Sequence, residues 1–185
     1  METRRIPGQR AGLTRARVLA AARELHGERG LDALTMRALA ERLQVAPNAL
    51  YSHVPNKTTL IDDVLDNVLG EVDDPTFGTG ADGLHALMAS TYRVLLRHPD
   101  LVPLYLARQG ARGTNAQHLG EVMLALLAEA GVVGAPAREA LRVLIVYTIG
   151  FAAYTADEAV VLSAAEPTAN FQRGLHWLLA GITAG

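Results

Sequence analysis

An all-α fold in two domains, with about nine helices, is predicted by three observations. Apolar residues recur at three- and four-residue spacing along nearly the whole chain, the period of a helix with one buried face. Alternating apolar and polar runs, the mark of a half-buried strand, do not occur. The helical period fails only at clusters of Gly, Pro and Asp, which cut the chain into helix-length pieces.

The first helix is expected from Thr14 to Gly30, with Val18, Leu19, Ala22 and Leu25 on its apolar face. Residues 1–12 place Arg4, Arg5 and Arg10 ahead of it with no apolar run behind them, which suits a flexible arm and not a signal peptide. Arg15, Arg17, Arg23 and Arg29 share the helix with Glu24 and Glu28, so most of them belong to a mixed solvated surface. Arg15 and Arg17, near its start, are the better candidates for meeting phosphate.

The most informative stretch is Thr35 to Lys57. Met36, Leu39, Ala40 and Leu43 give a short helix one face, and Thr35 stands where an N-cap hydroxyl belongs. Gln44, Val45 and Ala46 form the break. Pro47 opens a second helix, to about Val54, at a position where its missing N–H is not needed. That helix is too short to be stable alone. Asn48, Tyr51, Ser52 and His53 point polar and aromatic groups outward, while Ala49, Leu50 and Val54 are small or apolar. A short helix held by its neighbours and presenting hydrogen-bonding side chains suits a reader of the DNA major groove.

A fourth helix, 56–72, carries apolar residues at 60, 61, 64, 65, 68 and 69, an arc wide enough to contact both domains. Asp73-Asp74-Pro75 and the Gly78–Gly83 stretch mark the boundary, giving domains 1–72 and 73–185. Helices are then expected at Asp82–His98, between Pro99 and Arg108, at Asn115–Ala130, at Pro136–Val161 and at Thr168–Thr183, with a turn at Gly110–Gly113. Val143 to Tyr154 is apolar almost all round, so it must be covered on all sides. A chain this short can hardly do that alone, and a second copy is expected to help. Leu175, Leu178, Leu179 and Ile182, with Phe171 on the same stripe and His176 and Trp177 beside it, complete the expected two-fold interface of a homodimer.

Composition narrows the class. Half of the residues are hydrophobic, so a sizeable core is affordable, and the net charge is only −2. The charge is unevenly placed: residues 1–60 hold twice as many Lys and Arg as Asp and Glu, and the remainder holds half as many. Such polarity fits a protein that docks one end on phosphate. With no cysteine there is no disulfide and no thiolate metal site. The longest uncharged stretch, between Arg142 and Asp157, is shorter than a membrane span of roughly 20 residues, so no membrane is expected and the location is cytoplasmic.

The segment ALTMRALAERLQVAPNALYSHVPNKTTLIDDVLD closely resembles the DNA-binding domain of the TetR (tetracycline-repressor) family. The matching elements are Leu34-Thr35-Met36-Arg37, Leu39-Ala40 with Leu43 and Val45, and Leu50-Tyr51 with Val54 and Lys57 running into the fourth helix. The resemblance covers about residues 13 to 70, and Tyr51 with His53 is most like the tetracycline-repressor branch. It implies an N-terminal three-helix unit with a helix-turn-helix, and a larger helical domain that binds a ligand and dimerises. It implies DNA contacts from Thr35 and Arg37 at the second helix, from Pro47, Asn48, Ala49, Tyr51, Ser52 and His53 on the recognition helix, and from Lys57 at the backbone. Ser52 replaces a tryptophan of the tetracycline repressor, and Ala46 and Ala49 replace larger or more polar groups, so a different operator is expected.

The remaining motifs weigh less. Gly78-Thr79-Gly80-Ala81-Asp82-Gly83 spells G-x-G-x-x-G, but no strand precedes it and Asp82 would repel phosphate, so it is a linker and no cofactor is expected. None of the six histidines makes a tight ligand pair, and no metal is expected. Met88, Tyr92, Tyr105, Met123, Tyr147 and Phe151, with Tyr154, sit on helices that should face one another, either as core or as walls of a ligand pocket. Arg108, Gln109 and His118 are possible polar members. The expectation is a ligand-responsive transcriptional regulator, a repressor, binding a palindromic double-stranded operator and released by an apolar or amphipathic small molecule. The alternatives are a DNA-binding protein whose second domain only dimerises, and a small helical enzyme, for which no nucleophile–base constellation is present.

Overall fold

The computed structural model describes residues 12–74, 78–156 and 167–184. Nine α-helices are present among the described residues, and no strand. They are α1 (Arg15–Ala33), α2 (Met36–Leu43), α3 (Pro47–Leu50), α4 (Lys57–Leu69), α5 (Gly80–Arg97), α6 (Val102–Arg108), α7 (Thr114–Glu129), α8 (Gly134–Ala156) and α9 (Pro167–Thr183), with a 3₁₀ turn at Pro99–Leu101 before α6. The chain divides into two compact units, Met1–Val64 and Leu65–Gly185, so α4 begins in the first and ends in the second. The expected arm, 1–12, and the expected end of the α8 helix at Val161 fall on or beyond the edges of the described residues.

The first unit is built on short-range signals. Thr14 caps α1 by accepting the Arg17 N–H, and the backbone leaves helical values at Gly30. Val18, Leu19, Ala22 and Leu25 of α1 bury with Leu34, Leu39, Ala40, Leu50, Val54, Leu60 and Val64 as the core. Arg42 of α2 binds Glu24 and Glu28 of α1, its Nη2 lying 3.1 and 2.6 Å from their carboxylates. These carboxylates are open to water, so the pairs orient α2 more than they stabilise it.

The turn between α2 and α3 is closed by Gln44, which adopts the left-handed conformation at φ 55° and ends α2. α3 is shorter than its apolar pattern suggests. It stops at Leu50, and residues 51–53 form a turn in which the N–H groups of both His53 and Val54 donate to the Leu50 carbonyl. Pro55 keeps the chain from continuing as helix past this turn, since the residue before a proline, Val54, is driven out of the helical region.

In the second unit α5 is the central helix, packed on α7, α8 and α9, with α6 against α8. The glycine-rich stretch ahead of it is structural. A side chain at Gly83 would lie 2.5 Å from the Leu126 methyl, so its glycine lets α5 approach α7, and the Gly80 N–H is bound by Glu129 at 2.9 Å. α8 is apolar and long enough to cross a membrane by length and composition, but it turns Leu144, Thr148, Ile149 and Ala152 into this core.

The end of α4 is held to α7 by one side chain. Asp66 accepts from the Ala116 N–H at 2.8 Å and the Asn115 N–H at 3.2 Å, while Asn115 Nδ2 donates to the Asp66 carbonyl at 2.9 Å. Gly113, the N-cap of α7, has no capping side chain, and Asp66 takes that part from another helix. Gly113 lies at φ 156°, and a Cβ there would overlap the Asp66 carboxyl group. Gly113→Ala is therefore expected to lower the unfolding free energy by about 2–4 kcal/mol, from overlap plus backbone strain. Urea denaturation followed by far-UV circular dichroism checks this, and an unchanged midpoint would contradict it.

Candidate functional site

α3 and the turn after it are pinned from beneath and open from above. Leu50 and Val54 are fully buried, which fixes the short helix although it has too few residues to hold itself. Pro47, Asn48 and Ala49 are exposed, Ser52 is exposed, Tyr51 is 52% exposed and His53 is half-buried. The residues expected on the outer face thus share one surface. Ser52 Oγ donates to the Ala49 carbonyl at 2.9 Å, which leaves its oxygen as an acceptor. Tyr51 keeps its ring and hydroxyl at this surface, where they can stack on or hydrogen-bond to a partner.

The flanking residues are arranged as caps and ties. Thr35 Oγ1 accepts the Ala38 N–H at 3.1 Å at the start of α2. Arg37 is exposed and its Nε reaches Glu41 at 3.1 Å, a surface pair that phosphate can replace at little cost. Lys57 opens α4, as expected. Its ammonium group donates to the Leu31 carbonyl at 2.9 Å and is partly buried, so it ties the start of α4 to the end of α1. Two of its N–H bonds remain for another acceptor. Arg15 pairs with Asp63 of α4 at 2.5 Å.

A cavity of about 130 Å³ lies within the second unit. Its walls come from Leu69 of α4, Met88, Thr91 and Leu95 of α5, Tyr105 of α6, the turn residues Gln109, Gly110 and Ala111, Ala116, Leu119, Gly120 and Met123 of α7, and Ile145, Thr148 and Ile149 of α8. Among the expected pocket residues, Met88, Tyr105 and Met123 line it, and so does Gln109. Tyr105 also donates its hydroxyl proton to the Leu65 carbonyl at 2.6 Å, which joins the cavity wall to α4.

Tyr92, Tyr147 and Phe151 do not line this cavity, a correction to the expectation. They form an aromatic cluster with Phe171 of α9, in which Tyr92 stacks on Phe171 with ring centres 4.0 Å apart. Helical phase explains the split. On α8, residues 147, 151 and 154 follow one face, and Tyr147 donates to the Phe171 carbonyl at 2.8 Å, whereas 145, 148 and 149 follow another. His118 is also elsewhere, 3.1 Å from Asp74, and Arg108 is not in the wall. Thr148 and Gly120 are among the wall residues that pattern reading passes over. Their signal is a lone hydroxyl or a missing side chain on an otherwise apolar helical face.

The expected interface residues need a second correction. Leu175 and Leu179 are buried within this chain, so they cannot also face a partner, and Leu178 and Ile182 are half-buried. The large apolar groups left outside on α8 and α9 are Val143, Val146, Tyr154 and Trp177, with Val146 70% and Trp177 69% exposed.

Comparison with known proteins places these features. Residues 18–64 match the sequence model of the bacterial regulatory proteins of the tetR family, and residues 74–167 match that of the tetracyclin repressor-like C-terminal domain. An HTH-type transcriptional regulator of Saccharopolyspora erythraea is 34% identical over 93% of this chain and 85% of that one. ActR of Streptomyces coelicolor, in a crystal structure with actinorhodin, superposes with a TM-score of 0.81 at 28% identity, over 95% of this chain and 97% of that one. BioQ in complex with its double-stranded DNA operator superposes with a TM-score of 0.75 at 28% identity, over 94% of this chain and all of that one, 100%.

The aromatic cluster carries a pH dependence. Burial pushes the Tyr92 phenol above its ordinary value of 10.0, and the Thr155 hydrogen bond only partly offsets this. The Tyr147 phenol is raised by burial and then by the neighbouring Tyr92, with the Leu175 backbone N–H working the other way. A raised folded-state value means that the neutral phenols favour the fold. That stability is complete below the ordinary value of 10.0 and is lost as pH rises through the higher folded values. The unfolding free energy should therefore fall as pH rises above 10, and Tyr92→Phe should flatten that fall. Urea denaturation across the alkaline range measures it, and an identical slope in the variant would contradict it.

Proposed function

The chain belongs to the tetR family of bacterial regulatory proteins and is a ligand-responsive, DNA-binding transcriptional regulator; from that premise we propose that it is a repressor that grips its operator through α3 and lets go when a molecule fills the cavity of the second unit. The observation that carries this reading is the course of α4. Its first residue, Lys57, is bonded to the end of α1 in the DNA-reading unit, and its last residue, Leu69, is part of the cavity wall. A continuous helix with one end at each place is the element that can carry displacement from one to the other.

On DNA, two copies of the chain place their α3 helices in successive major-groove faces, so the operator is a palindrome with half-sites about one helical turn apart or a little more. Asn48, Tyr51, Ser52 and His53 are the candidates for base edges and neighbouring backbone, and Ala49 is small enough to lie against a thymine methyl. Pro47 sets where the helix starts, while Thr35, Arg37 and Lys57 meet phosphate, with Arg15 beside them. The homodimer buries the outer faces of α8 and α9 through Val143, Val146, Tyr154 and Trp177. Exposed apolar patches of this kind are otherwise a liability.

In the cavity, a bound molecule presses on Leu69 and Tyr105. Tyr105 and Asp66 hold the last turn of α4 from two sides, so a shift of either wall moves the helix. The molecule must bind the released state better than the DNA-bound state, or it shifts nothing.

In vitro selection from random duplexes should return a palindrome. Asn48→Ala and Tyr51→Ala should each cost about 1–3 kcal/mol on that palindrome and relax its sequence preference. Arg37→Ala should weaken binding to all sequences and reduce the salt slope by about one. Unchanged affinity and preference in all three variants, measured by gel shift, would show that α3 is not the reading helix.

A further inference from the structure

The cavity specifies the kind of molecule it takes. Resting on the reading above that the cavity is the effector site, we propose that the effector is a neutral, single-ring hydrogen-bond donor, of the phenol or aromatic N–H class, whose proton is accepted by a threonine hydroxyl oxygen of the wall, that of Thr91 or of Thr148.

Charge is the first argument. Among the described residues lining the cavity there is no Arg, Lys, His, Asp or Glu. A carboxylate, a phosphate or an ammonium placed there would lose its water without gaining a counter-ion, which opposes binding of any charged ligand. A metal chelate is disfavoured on the same ground, because the described wall residues offer no carboxylate or imidazole to share the metal.

Size is the second. The volume is about 130 Å³, and a closed apolar cavity of about 150 Å³ is known to hold one benzene ring. Met88 and Met123, with their flexible thioethers, allow the ring some variation in shape.

Hydrogen-bond direction is the third and most selective. Thr91 Oγ1 donates to the Leu87 carbonyl at 2.9 Å, and Thr148 Oγ1 donates to the Leu144 carbonyl at 2.8 Å, each one helical turn back. Both hydroxyl protons are therefore committed to the backbone, and what each oxygen still offers is a lone pair. Tyr105, the third hydroxyl in the wall, likewise gives its proton to Leu65. Thr148 Oγ1 also lies 3.5 Å from the Met88 sulfur, a weaker acceptor than the Leu144 carbonyl, and Met88 is one turn before Thr91 on α5. An arriving O–H or N–H finds acceptors ready at the threonines; a carbonyl or ether finds no threonine proton unless a helix bond breaks, and its N–H donors lie away from α5 and α8, on the Gln109 amide of the turn after α6.

The test uses the full-length protein and five probes of nearly equal shape: 4-methylphenol, 4-methylanisole, p-xylene, 4-methylbenzoate and 4-methylbenzylammonium. Titration calorimetry should give 4-methylphenol an affinity about tenfold or more above 4-methylanisole and p-xylene. The two ions should not bind. Thr91→Val with Thr148→Val keeps the shape and removes both acceptors, and it should bring 4-methylphenol down to the level of p-xylene. Equal affinity of 4-methylphenol and p-xylene in the unaltered protein, binding of either ion, a preference that survives the double substitution, or no binding by any probe would each overturn the ligand class. The cavity reading is checked separately. A side chain at Gly120 meets nothing within 4 Å, so Gly120→Phe, or Gly120→Leu if the first does not fold, fills the space with its own apolar group. It should abolish 4-methylphenol binding and weaken operator binding. Full retention of 4-methylphenol and operator binding in a folded Gly120 variant would place the effector site elsewhere.

Discussion

The end of α4 depends on the Asp66 carboxylate. It closes the otherwise uncapped N-terminus of α7 with two backbone N–H bonds, and Asn115 returns a bond to the Asp66 carbonyl. The positive end of a helix and a carboxylate attract each other, and here they belong to different helices. The result is that α7, which supplies Ala116, Leu119, Gly120 and Met123 to the cavity, is fastened to the helix that continues into the DNA-reading unit. Tyr105 makes a second fastening through Leu65. Gly113 follows from the first, since only a residue without a side chain leaves room for Asp66.

The segment after α4 extends the same design with charge. Glu71 meets His98 at 2.9 Å and Arg97 at 3.4 Å, Asp73 meets Ser90 and Arg93, and Asp74 meets His118. An acidic run that reads in the sequence as a domain boundary is a stretch laid along the basic side chains of α5 and α7. These pairs are exposed or half-exposed, so their worth lies in direction more than in stability.

How much of this is legible in the sequence follows from the range of each interaction. The helix-turn-helix is written in neighbours a few residues apart: Thr35 as cap, Pro47 as helix start, Leu39, Leu50 and Val54 as buried anchors. Local signals of that kind survive without tertiary knowledge, and only the early end of α3 before Pro55 needed the structure. The cavity is different because it is defined by absent atoms. Met88, Tyr105 and Met123 are recognisable as large side chains on facing helices, but Gly120 and Thr148 are not. Nor does one sequence fix the rotation of α8 against α5, which sends Tyr147 and Phe151 to Phe171 and leaves Ile145 and Thr148 at the cavity. The C-terminal stripe has the same ambiguity. Periodicity shows that Leu175 and Leu179 are covered, but not whether their own chain or a partner covers them, and here it is their own.

The central claim is that cavity and operator act on one equilibrium through α4. Linkage makes this measurable without knowing the path: if a cavity ligand weakens operator binding by some factor, the operator weakens that ligand by the same factor. The direct measurement is the affinity of one cavity-bound compound for the protein, free and saturated with operator. With a coupling of about 1–3 kcal/mol, operator should reduce that affinity roughly five- to a hundredfold. Equal affinities in the two states, for a compound whose binding is lost when Gly120 is replaced by a large side chain, would mean that the cavity does not control DNA binding.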